Sequence, residues 1–145
     1  MGYKNTLKEP QTIRFLQPQL MYIGLAKEAM DLYVNIFNGK IIDEQFYPAD
    51  HPTQAGQVLR ATFQLGDQRF SCIDSPDVHD FSFTPSISIF VEMNSATELE
   101  SVFNSLSEGG KVLMPVGSYG FSEKFVWFDD KFGVSWQLNY AGKVE

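Results

Sequence analysis

Two stretches decide the fold: Ala26 to Ile42, AKEAMDLYVNIFNGKII, and Ala96 to Leu113, ATELESVFNSLSEGGKVL. In the first, Ala26, Ala29, Met30, Tyr33, Val34 and Phe37 fall at i, i+3, i+4, i+7, i+8 and i+11. That spacing makes one apolar face of an amphipathic helix. Asn38-Gly39 should stop it, because both residues tolerate the left-handed cap conformation. Lys40 to Phe46 then reads as a strand. In the second stretch, Ser95-Ala96-Thr97-Glu98 has the pattern of a capping box. Ala96, Leu99, Val102, Phe103 and Leu106 point inward, Gly109-Gly110 ends the helix, and Lys111 to Val116 reads as a strand. Ala26 to Gly39 spans 13 positions and Ala96 to Gly110 spans 14. Gly39-Lys40-Ile41-Ile42 in one half answers Gly110-Lys111-Val112-Leu113 in the other.

The surroundings repeat as well. Ile13 to Ile23 is extended, with Pro18 placing it at an edge or a bulge. After the first helix and strand comes a loop, Tyr47 to Gly56. Gln57 to Leu65 then alternates, with Leu59, Ala61, Phe63 and Leu65 on one face and Val58, Arg60, Thr62 and Gln64 on the other. Gly66-Asp67 turns the chain into a strand at Arg69 to Asp74. In the second half, Ser86 to Met93 is a strand before the helix. Lys124 to Asp129 and Val134 to Tyr140 follow the strand after it, with a turn at Asp130 to Gly133. The order is β-α-β-β-β, twice. One such module cannot bury both faces of its sheet and helix. The expected fold is therefore α+β: two paired β-α-β-β-β modules forming a cupped mixed sheet with helices on the outside. Module one covers 13–80 and module two 81–140, within a single domain at 13–145. Residues 1–12 are polar and read as a flexible arm.

Length and composition agree with one domain. The chain has 145 residues, 43% apolar and 14% aromatic, enough to bury a core and too apolar for disorder. Its single cysteine, Cys72, cannot form an intramolecular disulfide, which fits a reducing cytoplasm. It lies in the apolar run Phe70-Ser71-Cys72-Ile73, where a thiol packs as a small hydrophobe. The net charge is −7 and the basic residues are scattered, so no nucleic-acid footprint exists. No stretch approaches the roughly 20 apolar residues of a membrane span, and Met1 to Gln11 lacks a signal peptide's apolar run.

The strands place a mixed polar lining on the concave side of the cup: Arg60, Thr62 and Gln64 from one half, then Ser86, Ser88, Phe90, Glu92, Ser135, Gln137 and Asn139 from the other. Such a lining suits a small molecule. Arg60 would pair with an anionic group on it. His51 beside Asp50 and His79 beside Asp80 have the makings of a general base, but both sit in polar loops and read as exposed. Tyr119 and Phe121 lie in a glycine loop able to cover a pocket, while Trp127 sits among core aromatics.

The tail Ser122-Glu123-Lys124-Phe125-Val126-Trp127-Phe128-Asp129-Asp130-Lys131-Phe132-Gly133-Val134-Ser135-Trp136-Gln137-Leu138 resembles the C-terminal signature of the PhnB-like proteins. Glu28-Ala29-Met30 with Tyr33 and Phe37, Gly56 to Phe63, and Phe81 to Glu92 agree with it. These proteins are often labelled demethylubiquinone methyltransferase-like. They belong to the vicinal oxygen chelate superfamily of glyoxalase I, bleomycin-resistance proteins and extradiol dioxygenases. The resemblance covers about Ile13 to Tyr140. It implies the paired-module cup and a homodimer.

In the superfamily's metal-dependent members, His or Glu side chains from both modules chelate a divalent ion. Those positions fall here at Pro18, Ser86 and Gln137, with the fourth near Cys72 or Ile73 and Asp74 adjacent. Pro and Ser are poor ligands, and a neutral Gln lacks the charge that offsets cation dehydration. No superfamily metal, and no other cofactor, is expected. The ligand-pocket candidates are Arg60, Thr62, Ser86, Ser88, Gln137 and Trp127. A methyltransferase is disfavoured, since no G-x-G-x-x-G follows a first parallel strand. A metal-dependent lyase or dioxygenase with substitute ligands, and a sequestering protein of the resistance type, are the alternatives.

Overall fold

The computed structural model describes residues 12–142, so the expected arm at 1–12 lies almost wholly outside the described residues. Module one runs β1 (Gln19–Tyr22), α1 (Ala26–Phe37), β2 (Lys40–Phe46), β3 (Val58–Leu65) and β4 (Gln68–Asp74). Module two runs β5 (Ile89–Glu92), α2 (Ala96–Leu106), β6 (Lys111–Gly117), β7 (Lys124–Asp129) and β8 (Ser135–Tyr140). Each module forms its own four-stranded mixed sheet, ordered β1-β4-β3-β2 and β5-β8-β7-β6. The β1–β4 and β5–β8 pairs are parallel and the others antiparallel. The fold is thus the α+β duplication read from the helices.

The duplication extends to a defect. In β2 the register jumps between Ile41 and Asp43, leaving Ile42 unopposed; in β6 it jumps between Val112 and Met114, leaving Leu113 unopposed. Both bulges sit two residues after the lysine that follows the helix. A bulge bends the strand locally and raises its twist.

Three local expectations change. The extended runs before the helices shorten to Gln19–Tyr22 and Ile89–Glu92, the lengths over which β4 and β8 pair with them. The alternation in β3 breaks at Leu59, which is 42% exposed while Val58 is 0% exposed. Leu59 is an extra residue between the Gln45–Arg60 and Phe46–Val58 pairs. It returns Val58 to the buried side with Ala61 and Phe63. The left-handed cap of α1 falls on Asn38, with φ 53°, rather than on Gly39. Gly39 serves close packing: a Cβ there would strike the Gln64 carbonyl oxygen and come within 2.7 Å of Leu65 Cδ2.

The two helix N-termini are capped in different ways. Ser95 Oγ accepts from Glu98 N at 3.1 Å, as its local pattern predicts. Leu25 offers α1 no side-chain cap. Instead Asp74, at the end of β4, accepts from Ala26 N at 3.0 Å and from Val58 N at 2.9 Å.

One core joins the modules. Ala26, Ala29, Met30 and Tyr33 of α1 are buried, as are Leu99 and Leu106 of α2. Trp136 of β8 stacks on Phe37 at 5.3 Å and meets Tyr33 edge-on at 5.2 Å. Beside it Asp130 is buried to 2% exposure and accepts four hydrogen bonds. Tyr33 Oη donates at 2.6 Å, Trp136 Nε1 at 3.0 Å, Phe132 N at 2.9 Å and Val134 N at 3.0 Å. Burial pushes the phenol of Tyr33 far up, so it stays a donor. The signature turn Asp130 to Gly133 is thus a clamp between α1 and β8.

Candidate functional site

Pairing registers fix which side chains share the sheet face opposite the helices, called here the open face. In module one, Gln19, Ser71, Thr62 and Asp43 form one row across all four strands. Arg60 and Gln45 are paired in a neighbouring row. In module two, Phe90, Gln137, Trp127 and Met114 form a row across β5, β8, β7 and β6. Glu92, Asn139 and Phe125 form the next.

Among the six pocket candidates, three come together. Gln137 lies opposite Trp127 and its Nε2 donates to Ser88 Oγ at 3.1 Å. The Trp127 indole N–H donates to Ser135 Oγ at 2.8 Å. Arg60 and Thr62 share the open face of the other sheet. The main packing between the modules runs through α1 on α2, so one chain does not lay one open face against the other. Ser86 is a correction. It lies in an exposed turn before β5, with its Oγ 2.7 Å from Thr84 Oγ1, because β5 begins only at Ile89.

The expected metal positions shift for the same reason. Pro18 precedes β1 and alternates with Gln19, so it points to the other side of the module-one sheet, where it borders a hollow with Phe37, Leu65 and Phe70. The open-face residue of β1 at that level is Gln19, whose Oε1 accepts from Ser71 Oγ at 3.1 Å. Cys72 is fully buried and Asp74 is spent on its two backbone N–H groups, which leaves Ile73 on the open face. The positions therefore offer Gln19, Ser88, Gln137 and Ile73. None carries charge, and the two glutamines are already hydrogen-bonded. Such a set does not fit a dehydrated divalent cation. Among the described residues, no three His, Cys, Asp or Glu side chains converge as a metal site.

The histidines stay apart. His51 Nδ1 accepts from Thr53 N at 3.2 Å and Gln54 N at 2.9 Å, so it organises its own loop rather than pairing with Asp50. His79 is exposed and stacks on Phe81 at 4.7 Å. Tyr119 and Phe121 cluster on Phe125 at 5.8 and 5.1 Å, over the Asn139 row of the open face. Burial pushes the Cys72 thiol up to about 12, with Asp74 adding repulsion. Ellman's reagent should leave Cys72 unmodified in the folded protein and react with one thiol per chain after denaturation. Rapid labelling without denaturant would contradict its packing role.

A hollow of about 600 Å³ runs along β5 between the modules, touching Ser88, Phe90 and Trp136. Another of about 370 Å³ lies between β1 and the inter-module link, bordered by Met21, His79, Phe81 and Phe132. Neither includes Arg60 or Gln137. Sequence reasoning missed the second, because its walls come from separate segments whose apolar residues carry no joint period.

The profile of a family described as 3-demethylubiquinone-9 3-methyltransferase matches residues 15–139. A solved structure described as a putative 3-demethylubiquinone-9 3-methyltransferase, PhnB protein, from Bacillus cereus is 44% identical, covering 90% of this chain and 100% of that one, with a TM-score of 0.83. A protein from Pseudomonas aeruginosa is 28% identical over 89% of this chain and 100% of its own, with a TM-score of 0.77. A fosfomycin resistance protein, FosX, of Listeria monocytogenes shares the fold at 16% identity and a TM-score of 0.59, covering 92% of this chain and 96% of that one. No curated protein sequence matches the chain. With the duplicated fold and these matches together, the chain belongs to the PhnB-like family, on the glyoxalase/bleomycin-resistance fold that it shares with FosX.

Proposed function

We propose that this protein binds a small anionic organic molecule on its open sheet faces, without the superfamily metal. One observation carries the reading. The metal positions hold an isoleucine and three neutral, internally bonded polar side chains, while Arg60 is exposed on the open face with no ion-pair partner among the described residues. A guanidinium so placed is suited to a carboxylate or phosphonate.

The cup is completed by a second copy, the sheet with Arg60 facing the partner's sheet with Gln137. Exposed apolar residues in two segments support this: Ile13 and Leu16 before β1, and Ile87 and Phe90 around β5, are 58, 78, 75 and 58% exposed. Methyl transfer receives no support from the fold. Its two sheets lack the run of parallel β-α-β units that builds a nucleotide-type cofactor site. No helix among the described residues is long and apolar enough to cross a membrane, and a single buried free cysteine suits a cytoplasmic location.

Light scattering should give twice the chain mass. Benzoate-type carboxylates should bind the wild type and lose about tenfold or more in affinity in Arg60→Ala, as expected for a lost charge-assisted hydrogen bond. Unchanged affinity, or stoichiometric Zn, Ni, Mn or Fe in untreated protein, would overturn the reading.

A further inference from the structure

The hollow of about 370 Å³ continues the open face of module one past its edge. β1 is an outer strand of that sheet. Met21 of β1 pairs with Ile73 on the open face and also borders the hollow. The β3–β4 register pairs Ala61 with Cys72, so the next step along brings Arg60 beside Ile73. Met21, Ile73 and Arg60 therefore stand in one open-face row. Two strand spacings, roughly 10 Å, separate Arg60's strand from the strand that borders the hollow.

The walls of the hollow are apolar. Tyr22, Phe83 and Phe132 border it, with the Tyr22 ring 5.2 Å from Phe83 and 6.0 Å from Phe132. The Tyr22 hydroxyl is engaged with Tyr33 Oη at 3.1 Å in the core, so this wall offers rings. Leu25 and Phe81 complete the rim and are 45 and 60% exposed. Among the described residues, no Asp, Glu, Lys or Arg borders the hollow. A charged group entering it would lose hydration and gain no counter-charge. An apolar group would be buried against rings already assembled. The volume lies at the small end of ligand pockets. A molecule as short as benzoate, held at Arg60, ends before the hollow begins.

We infer that the ligand is an amphipathic acid whose anionic group sits on Arg60 and whose apolar arm, long enough to cross two strands, ends in the hollow beside β1. This rests on the proposed function. It adds the length and the polarity of the ligand's other end.

Calorimetry with benzoate, biphenyl-4-carboxylate and biphenyl-4,4′-dicarboxylate tests it. Biphenyl-4-carboxylate should bind about tenfold or more tighter than benzoate, the worth of burying a further ring. The dicarboxylate, of similar length but charged at its far end, should bind no tighter than benzoate. Phe81→Ala and Leu25→Ala, both at exposed positions that do not threaten folding, should remove the biphenyl advantage and leave benzoate unchanged. Arg60→Ala should weaken benzoate and biphenyl-4-carboxylate alike. If biphenyl-4-carboxylate binds no tighter than benzoate while both depend on Arg60, the inference fails and the proposed function stands. It fails in the same way if the advantage survives both hollow variants, or if the dicarboxylate keeps it. Tight biphenyl-4-carboxylate binding that ignores Arg60 would make the hollow an independent apolar site and overturn the two-ended ligand. If no probe binds and Arg60→Ala is silent, both readings fall.

Discussion

Replacing Asp130 by alanine is expected to cost about 3–5 kcal/mol of unfolding free energy, because it strands four buried neutral donors that each cost at least about 1 kcal/mol when left unpaired. The carboxylate receives Tyr33 Oη, Trp136 Nε1 and the backbone N–H groups of Phe132 and Val134. Truncation strands all four donors at a site with 2% exposure. Tyr33→Phe leaves Asp130 three donors but also unpairs the buried Tyr22 hydroxyl, 3.1 Å from Tyr33 Oη, so it should cost about 2 kcal/mol. Urea midpoints with unchanged slope measure both. Equal losses in the two variants would mean that the clamp acts through the tyrosine alone.

The same group sets a pH dependence of definite sign. Burial raises the Asp130 pKa above its ordinary 3.8, and the four hydrogen bonds only partly oppose it. The folded protein then holds that proton to higher pH than the unfolded chain does. Between the two pKa values the unfolded state binds fewer protons, so stability falls as pH rises. The contribution is complete below 3.8 and disappears as pH rises through the folded value. The amide of Asp130→Asn does not titrate. The stability of wild type relative to that variant should therefore decline from about pH 4 towards neutrality. A rise over that interval would show that the four donors outweigh burial.

Gly110→Ala is expected to be comparably damaging, at about 3 kcal/mol, the upper range for forced overpacking. A Cβ there would strike the Asp129 carbonyl oxygen and come 2.9 Å from the Asp130 carbonyl carbon. Neither is a flexible side-chain end, so the turn into the clamp must shift. Gly39→Ala meets the Gln64 carbonyl in the same way and should behave alike. Gly66→Ala is the contrast. Its φ is +56° but nothing lies within 4 Å of the added carbon, so only the backbone penalty of about 1 kcal/mol applies. Thermal unfolding of the three variants separates the effects. A Gly110→Ala loss no larger than that of Gly66→Ala would remove the close-packing account.

Both glycine positions were legible as helix ends, and the lysines after them marked equivalent strands. That Gly39 and Gly110 serve close approach was not legible, because the carbonyls they pack on lie 25 and 19 residues further along the chain. The cap of α2 was legible since Ser95 and Glu98 are three residues apart. The cap of α1 was not, since Asp74 is 48 residues from Ala26.

The sequence by itself determined the elements and their duplication. Helix and strand periods are written within a dozen residues, and burial of one face enforces them locally. It also placed Arg60, Thr62 and Gln137 on the faces where they lie, whereas Trp127, read among core aromatics, lies in the open-face row beside Gln137. Tertiary structure decided the rest: which acid clamps the modules, where bulges reset the alternation, that β5 starts too late to include Ser86, and that Gln19 rather than Pro18 is on the open face. A one-residue change of register moves a side chain to the opposite face of a sheet. Register is fixed by the partner strand, and for β1 and β5 that partner lies some 50 residues away.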